Sequence, residues 1–338
     1  MDRCVGICII GVGRAGMIHA RNFQFNIANA RVVSVSDSSE EACKAACQEL
    51  QIDSYYLDYK EAIKDKNVDA VVVVAPTKLH CDIVTACAKA KKNVFCEKPM
   101  AVTVQECESM IKACSDNNVK LQLGFMRRFD KSMMKAREAI KSGVIGDIVH
   151  IRSITRGPSK PREWMYDISV SNGPLAEVNS HDIDCIRWIT DSEFDFIFAN
   201  AGNYRNPEIR EKYPDFYDNV VMCGKLKNGV QFTIEGAQYV QYGYDVRVEV
   251  LGTKGVMSIG RSDADDVKVV RNDRQNSSEF IHSWIDLYKE AYLEEDKHFI
   301  NSILNDTEPK VKGHDGKMAV KVVQAGNESI STSRVIKL

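Results

Sequence analysis

Short apolar runs and amphipathic stretches alternate through the first 124 residues. Runs at 5–10, 31–36, 68–75, 93–96 and 120–124 are short and, taken together, rich in Val, Ile and Cys. That pattern predicts strands buried on both faces, as in a parallel sheet. Between them, 15–23, 40–50, 81–91 and 104–116 carry helical periodicity. Thr103 followed by Glu106 predicts a capping box on the last of these. Strand–helix alternation with right-handed crossovers implies an α/β, doubly wound parallel sheet.

After residue 124 the rhythm changes. A helix at 131–142 precedes a strand at 148–155, a loop with Pro158 and Pro161, and a helix at 181–189. Strand-like runs then follow one another without helices, at 194–203, 219–226, 230–238, 245–251 and 267–270. They predict an open, mostly antiparallel sheet. Two helices, 284–304 and 316–331, close the chain. The expected division is a dinucleotide-binding domain at 1–124 and a substrate-binding and oligomerisation domain at 125–338.

Composition narrows the class. The 338 residues carry a net charge of −2, which favours neither nucleic acid nor an anionic membrane. No apolar run reaches the ~18–20 residues of a membrane span. The chain enters its first strand directly, so no leader is expected. Eleven scattered cysteines without a Cys-x-x-Cys pair suit thiols in a reducing cytoplasm better than disulfides or zinc.

Gly11-Val12-Gly13-Arg14-Ala15-Gly16 follows the first strand and opens the first helix. The first glycine permits the turn, the second lets a pyrophosphate approach, and the third lets helix and strand pack closely. The helix N-terminus supplies N–H groups. Asp37 ends the second strand, where a carboxylate accepts from ribose hydroxyls and repels a 2′-phosphate. Ser38 and Ser39 offer no cation, so NAD is expected over NADP.

Ala75-Pro76-Thr77, with His80, follows the fourth strand and Glu97-Lys98-Pro99 follows the fifth, on the edge where ligands bind in such sheets. Lys98 at that place suits a donor to an alcohol oxygen losing hydride, or a surface lysine in a turn. His80 alone suits a helix start or packing. His181 falls in the first turn of a helix that Asn179 or Ser180 can cap. The dipole there favours a neutral imidazole able to take a proton. Glu177, in the preceding loop, suits binding of a substrate hydroxyl. No His, Asp or Glu spacing calls for a metal.

Together these residues resemble the glucose–fructose oxidoreductase/inositol dehydrogenase (Gfo/Idh/MocA) family. The resemblance also covers Gly124-Phe125-Met126-Arg127-Arg128-Phe129-Asp130, His181-Asp182-Ile183-Asp184 and Gly252-Thr253-Lys254-Gly255. The segment from Tyr242 to Glu249 is similar to inositol 2-dehydrogenases. The resemblance implies a metal-free, NAD-dependent oxidation of a secondary hydroxyl of a cyclic polyol or sugar. It implies His181 as base, Lys98 as alkoxide stabiliser and Glu177 as hydroxyl ligand. It also implies a cis Lys98–Pro99 bond that aims the lysine, and a homo-oligomer, tetramer or dimer, built on the second domain's sheet.

The implied cofactor contacts are Gly11, Val12, Gly13, Arg14, Ala15, Asp37, Ser38, Ala75, Pro76, Thr77, His80, Glu97 and Lys98. The implied substrate contacts are Arg127, Trp164, Glu177, His181 and Tyr242. The chain departs from the pattern in having Glu177 for the usual Asp, Thr155-Arg156-Gly157-Pro158 where many members carry a His before Arg-Asn-Pro, and Gly173-Pro174 for Gly-Gly. Its loop with Trp164 and Asp167 is its own. Competing readings are a dehydrogenase of another pyranose, glycoside or sugar acid, and a cofactor-sensing regulator, which retention of Lys98 and His181 disfavours.

Overall fold

The computed structural model describes residues 3–260, 269–270, 276–277 and 279–338. Two compact units emerge: Met1–Phe129 with Glu290–Val320, and Asp130–Lys289 with Lys321–Leu338.

The first unit carries a six-stranded parallel sheet. Its strands are β1 (Val5–Ile10), β2 (Ala30–Ser36), β3 (Tyr55–Tyr56), β4 (Ala70–Val73), β5 (Asn93–Glu97) and β6 (Leu121–Gly124), in the order β3-β2-β1-β4-β5-β6. The order reverses between β1 and β4, the place where ligands settle in doubly wound sheets. All of β1 is buried, which explains its unbroken apolar run. The two-residue β3 escapes sequence patterning because two residues hold no period.

Helices α1 (Arg14–Arg21), α2 (Glu40–Leu50), α3 (Tyr59–Ala62), α4 (His80–Lys89) and α5 (Val104–Asp116) link these strands. The capping box on α5 is present: Thr103 Oγ1 accepts from Glu106 N at 3.2 Å, and Glu106 Oε2 accepts from Thr103 N at 2.8 Å.

Residues 290–320 join this unit because their apolar side chains are buried in its core. Phe299, Ile300 and Ile303 pack with Ile9, Val72 and Phe95, and the Phe95 and Phe299 rings meet edge-on at 5.8 Å. Burying one such side chain contributes about 1.5–3 kcal/mol. Leu123 N also donates to Val311 O at 3.1 Å, which ties the returning chain to β6.

The second unit begins with α6 (Lys131–Lys141) and β7 (Ile148–Gly157). Where the sequence predicts only a loop, short helices α7 (Ile168–Ser171) and α8 (Gly173–Glu177) precede α9 (Ser180–Thr190). The further strands are β8 (Phe194–Gly202), β9 (Asn219–Leu226), β10 (Gln231–Gln238), β11 (Asp245–Gly252), β12 (Val256–Ile259), β13 (Val269–Val270), β14 (Asn276–Ser277) and β15 (Ile336–Lys337). Residues 267–268 of the expected strand lie outside the described residues.

The larger sheet runs β12-β11-β7-β10-β9-β8-β15, with β7 and β10 parallel and the other pairs antiparallel. On β11 buried and exposed residues alternate, so one sheet face is packed and the other open. The predicted helix at 284–304 is broken at Tyr288 into α10 (Trp284–Leu287) and α11 (Lys289–Leu304). The last helix, α12 (Gly313–Thr332), starts three residues ahead of its predicted start. Among the described residues no helix is long and apolar enough to cross a membrane.

Candidate active site

Three glycines of the first loop have separate physical reasons. Gly11 has φ +95°, and a Cβ there would lie 2.6 Å from Val74 O. A Cβ on Gly16 would lie 1.9 Å from Gly11 O, so strand and helix touch through it. Gly13 meets nothing within 4 Å, which leaves an open approach to the N-terminus of α1. No acidic residue occupies that first turn, which opens with Arg14 and Ala15. This cradle fits a dinucleotide pyrophosphate.

Asp37, half-buried just beyond β2, is held on the same loop. One oxygen accepts from Val12 N at 3.1 Å and the other from Ser39 N at 3.0 Å. Anchored that way, its carboxylate presents acceptor capacity suited to a ribose diol, and its neighbour Ser38 is exposed.

Beyond β4, Ala75 is half-buried, Pro76 exposed and Thr77 buried. His80 is buried with its ring nitrogens 2.7 Å from Ala75 O and 2.9 Å from Pro99 O. Burial pushes its pKa down. The ring thus bridges the loop after β4 to the turn after β5, a packing arrangement rather than an exposed ligand surface. In that turn the Lys98–Pro99 bond is cis. Lys98 is half-buried, and its backbone N–H donates to Glu97 Oε2 at 2.9 Å. Arg127, expected to touch substrate, is 1% exposed within the first unit.

In the second unit Glu177 is not in a loop but ends α8, half-buried. His181 lies in the first turn of α9 and is 5% exposed. Of the two expected caps, Ser180 is the first residue of the helix and Asn179 takes the cap position without a capping bond. Its side chain accepts nothing from the helix backbone; instead Nδ2 donates to Asp182 Oδ2 at 2.8 Å. Asp182 also accepts from Ser153 Oγ at 2.6 Å and Thr155 Oγ1 at 2.8 Å, both on β7. A buried carboxylate that collects three donors is worth its desolvation. It pins the start of α9, and hence His181, to the sheet.

Gly236 on β10 makes room for this contact, since a Cβ there would lie 1.9 Å from Asn179 Oδ1. Sequence reasoning missed Ser153, Thr155 and Asp182 as a set. The signal was an acidic residue beside His181, unreadable until β7 was placed.

Trp164 sits half-buried in a turn at Glu163–Tyr166. Tyr242 is 45% exposed and donates to Asp245 Oδ2 at 3.2 Å. It lines a hollow with Arg156, Arg205, Asn219 and Glu235. Among the described residues no three His, Cys, Asp or Glu side chains are grouped to hold a metal ion.

Comparison with known proteins matches residues 5–125 to an oxidoreductase family with an NAD-binding Rossmann fold. Residues 133–258 match the GFO/IDH/MocA C-terminal domain. The chain is 37% identical to the myo-inositol 2-dehydrogenase of Thermotoga maritima, covering 98% of each chain. It is 28% identical to the NAD(+)-linked scyllo-inositol 2-dehydrogenase of Bacillus subtilis, over 100% of this chain and 97% of the other. A crystal structure of scyllo-inositol dehydrogenase from Lactobacillus casei, with NAD(H) and scyllo-inositol bound, is similar at TM-score 0.90 and 27% identity, covering 99% of both chains.

Proposed function

The chain belongs to the Gfo/Idh/MocA family of NAD-binding oxidoreductases, and from that premise we propose that it oxidises a secondary hydroxyl of an inositol. The observation that carries the reading is the pair of prepared groups: Lys98 at the carboxyl end of β5 and His181 buried in the first turn of α9. NAD is held by the Gly11–Gly16 cradle and Asp37, and when bound it supplies the two-electron acceptor for the carbinol hydride.

His181 takes the hydroxyl proton as the carbinol carbon loses hydride, so alcohol becomes ketone and the proton stays on imidazole. Lys98 is the cation suited to stabilise a developing alkoxide. Glu177 accepts a hydrogen bond from another ring hydroxyl and sets the orientation. Its extra methylene relative to the family's Asp shifts which hydroxyl it can reach.

The first unit serves the cofactor, and the second the polyol and self-association. The protein works in the cytoplasm as a homotetramer.

The test is NADH formation by purified protein against a panel of inositols, hexoses, glycosides and sugar acids. An inositol is expected to be turned over best. H181A and K98A should each lower kcat by about 10²–10⁴-fold while still binding NADH. Near-normal turnover by either variant removes that residue from the chemistry. No oxidation of any polyol, with NADH still bound, makes the protein a cofactor-sensing regulator instead.

A further inference from the structure

Glu97, Lys98's neighbour, is the end of a buried chain of ionisable groups that the reaction does not use. His19 on α1 is 0% exposed, with Nδ1 2.7 Å from Asp296 Oδ1 and Nε2 3.1 Å from Glu97 Oε1. Asp296 on α11 is also 0% exposed, and its second oxygen accepts from Asn22 Nδ2 at 2.8 Å. Glu97 is 5% exposed, and its second oxygen accepts the Lys98 backbone N–H at 2.9 Å.

We propose that Asp296, His19 and Glu97 form a positioning chain that fixes the Lys98 main chain, and so aims its side chain. Both ring nitrogens of His19 thus face carboxyl oxygens, and burial raises the Asp296 pKa against the pull of the His19 charge, so the group's protons are shared along the chain. Burial pushes the His19 pKa down, but the Asp296 charge and the bonds to Asp296 and Glu97 override it and raise it above the ordinary histidine value. Phe95 and Tyr292 wall the ring at centroid distances of 4.9 and 5.5 Å.

Space is reserved for the carboxylate as well. At Gly124 a Cβ would come within 2.8 Å of the Glu97 carboxyl carbon. Burying three charged groups costs heavily unless each is hydrogen-bonded, and stability alone is served as well by apolar packing. What apolar packing cannot do is hold one carboxylate oxygen on the Lys98 amide. His19 touches no reacting atom and acts only through Glu97 and Lys98.

The inference rests on the proposed role of Lys98, so its test includes a readout that does not. Full-length H19Q, D296N, K98A and H19Q/K98A are compared by hydrogen exchange, NADH fluorescence titration and NADH-linked turnover. In H19Q and D296N the Lys98 amide should exchange at least ~10-fold faster while the amides of 94–96 stay protected. Turnover should fall by about 10–10²-fold with polyol KM and NADH affinity nearly unchanged, as for a displaced catalytic group. H19Q/K98A should be no slower than K98A, because groups acting as one unit lose activity once.

Unaltered Lys98 exchange, or losses that add in the double variant, overturns the proposal. Full turnover by K98A overturns the catalytic reading instead, and the exchange data then decide the chain by themselves. If H19Q does not fold, D296N, which keeps an acceptor toward His19, carries the same measurements.

Discussion

Asp37 shows how one side chain both builds and selects. Its carboxylate spans the Val12 and Ser39 amides, which fixes the glycine loop, and in the proposed site its charge is the one a ribose would meet. A hydrogen bond to a charged group contributes about 1.5–3 kcal/mol. D37A should therefore weaken NADH by about 10–10²-fold, while NADPH, relieved of repulsion, is weakened less or gains. D37N, which keeps an acceptor, should fall between. Fluorescence titration with both cofactors reads this, and equal weakening of the two would reduce Asp37 to a loop anchor.

Residue types of this kind were legible in the sequence, because glycine spacing, a strand-end carboxylate and Glu97-Lys98-Pro99 each declare their chemistry locally. What supports them was not. The Asp296 partner of His19 lies 277 residues away, and the donors that orient Asp182 lie on β7, 27 and 29 residues earlier.

Elements repeat that lesson at longer range. Periodicity placed α2, α5 and the longer strands, since apolar spacing reports which face is buried, but it missed the short β3, β12, β14 and β15. It could not report that α11 covers the parallel sheet, because an apolar stripe does not name the surface it meets. One consequence of that return is titratable.

His298, near the end of α11, accepts the Lys310 N–H on Nε2 at 3.0 Å, which requires the neutral ring. Burial, and then the nearby Lys310 charge, push its pKa down. The unfolded chain therefore binds the extra proton first as pH falls below about 6.5. The contribution is full above that value and is lost as pH drops to the folded pKa. The protection factor of the Lys310 amide should decline across that window, and H298F should be unprotected at every pH. A factor that stays level from neutral to mildly acidic pH would show that His298 does not hold this loop.

At the scale of the whole molecule, a net charge of −2 leaves little long-range repulsion against self-association. The second unit offers a surface for it. Cross-strand pairing puts Val221, Glu235, Ile154 and Arg247 in one row, and Lys225, Gln231, His150, Leu251 and Val256 in another, on the same face. Val221 and Leu251 are each 44% exposed and Val256 58%, set among the ion pairs Arg152–Glu235, Arg156–Glu235 and Arg247–Asp245. Ion pairs whose arginines reach solvent contribute little to a monomer, and single exposed apolar side chains are ordinary. A continuous sheet face that carries both suits a partner with the same pattern inverted by a twofold axis. A stable contact needs about 800 Å² from each side, and with seven strands this is the largest of the described sheets.

The double variant L251R/V256R places two like charges opposite their symmetry mates without touching a buried side chain. It should dissociate the proposed oligomer by at least one symmetry step in sedimentation. Each subunit should keep its thermal transition within the ~0.5 kcal/mol typical of surface changes. An oligomer of unaltered size would move the interface off this sheet face.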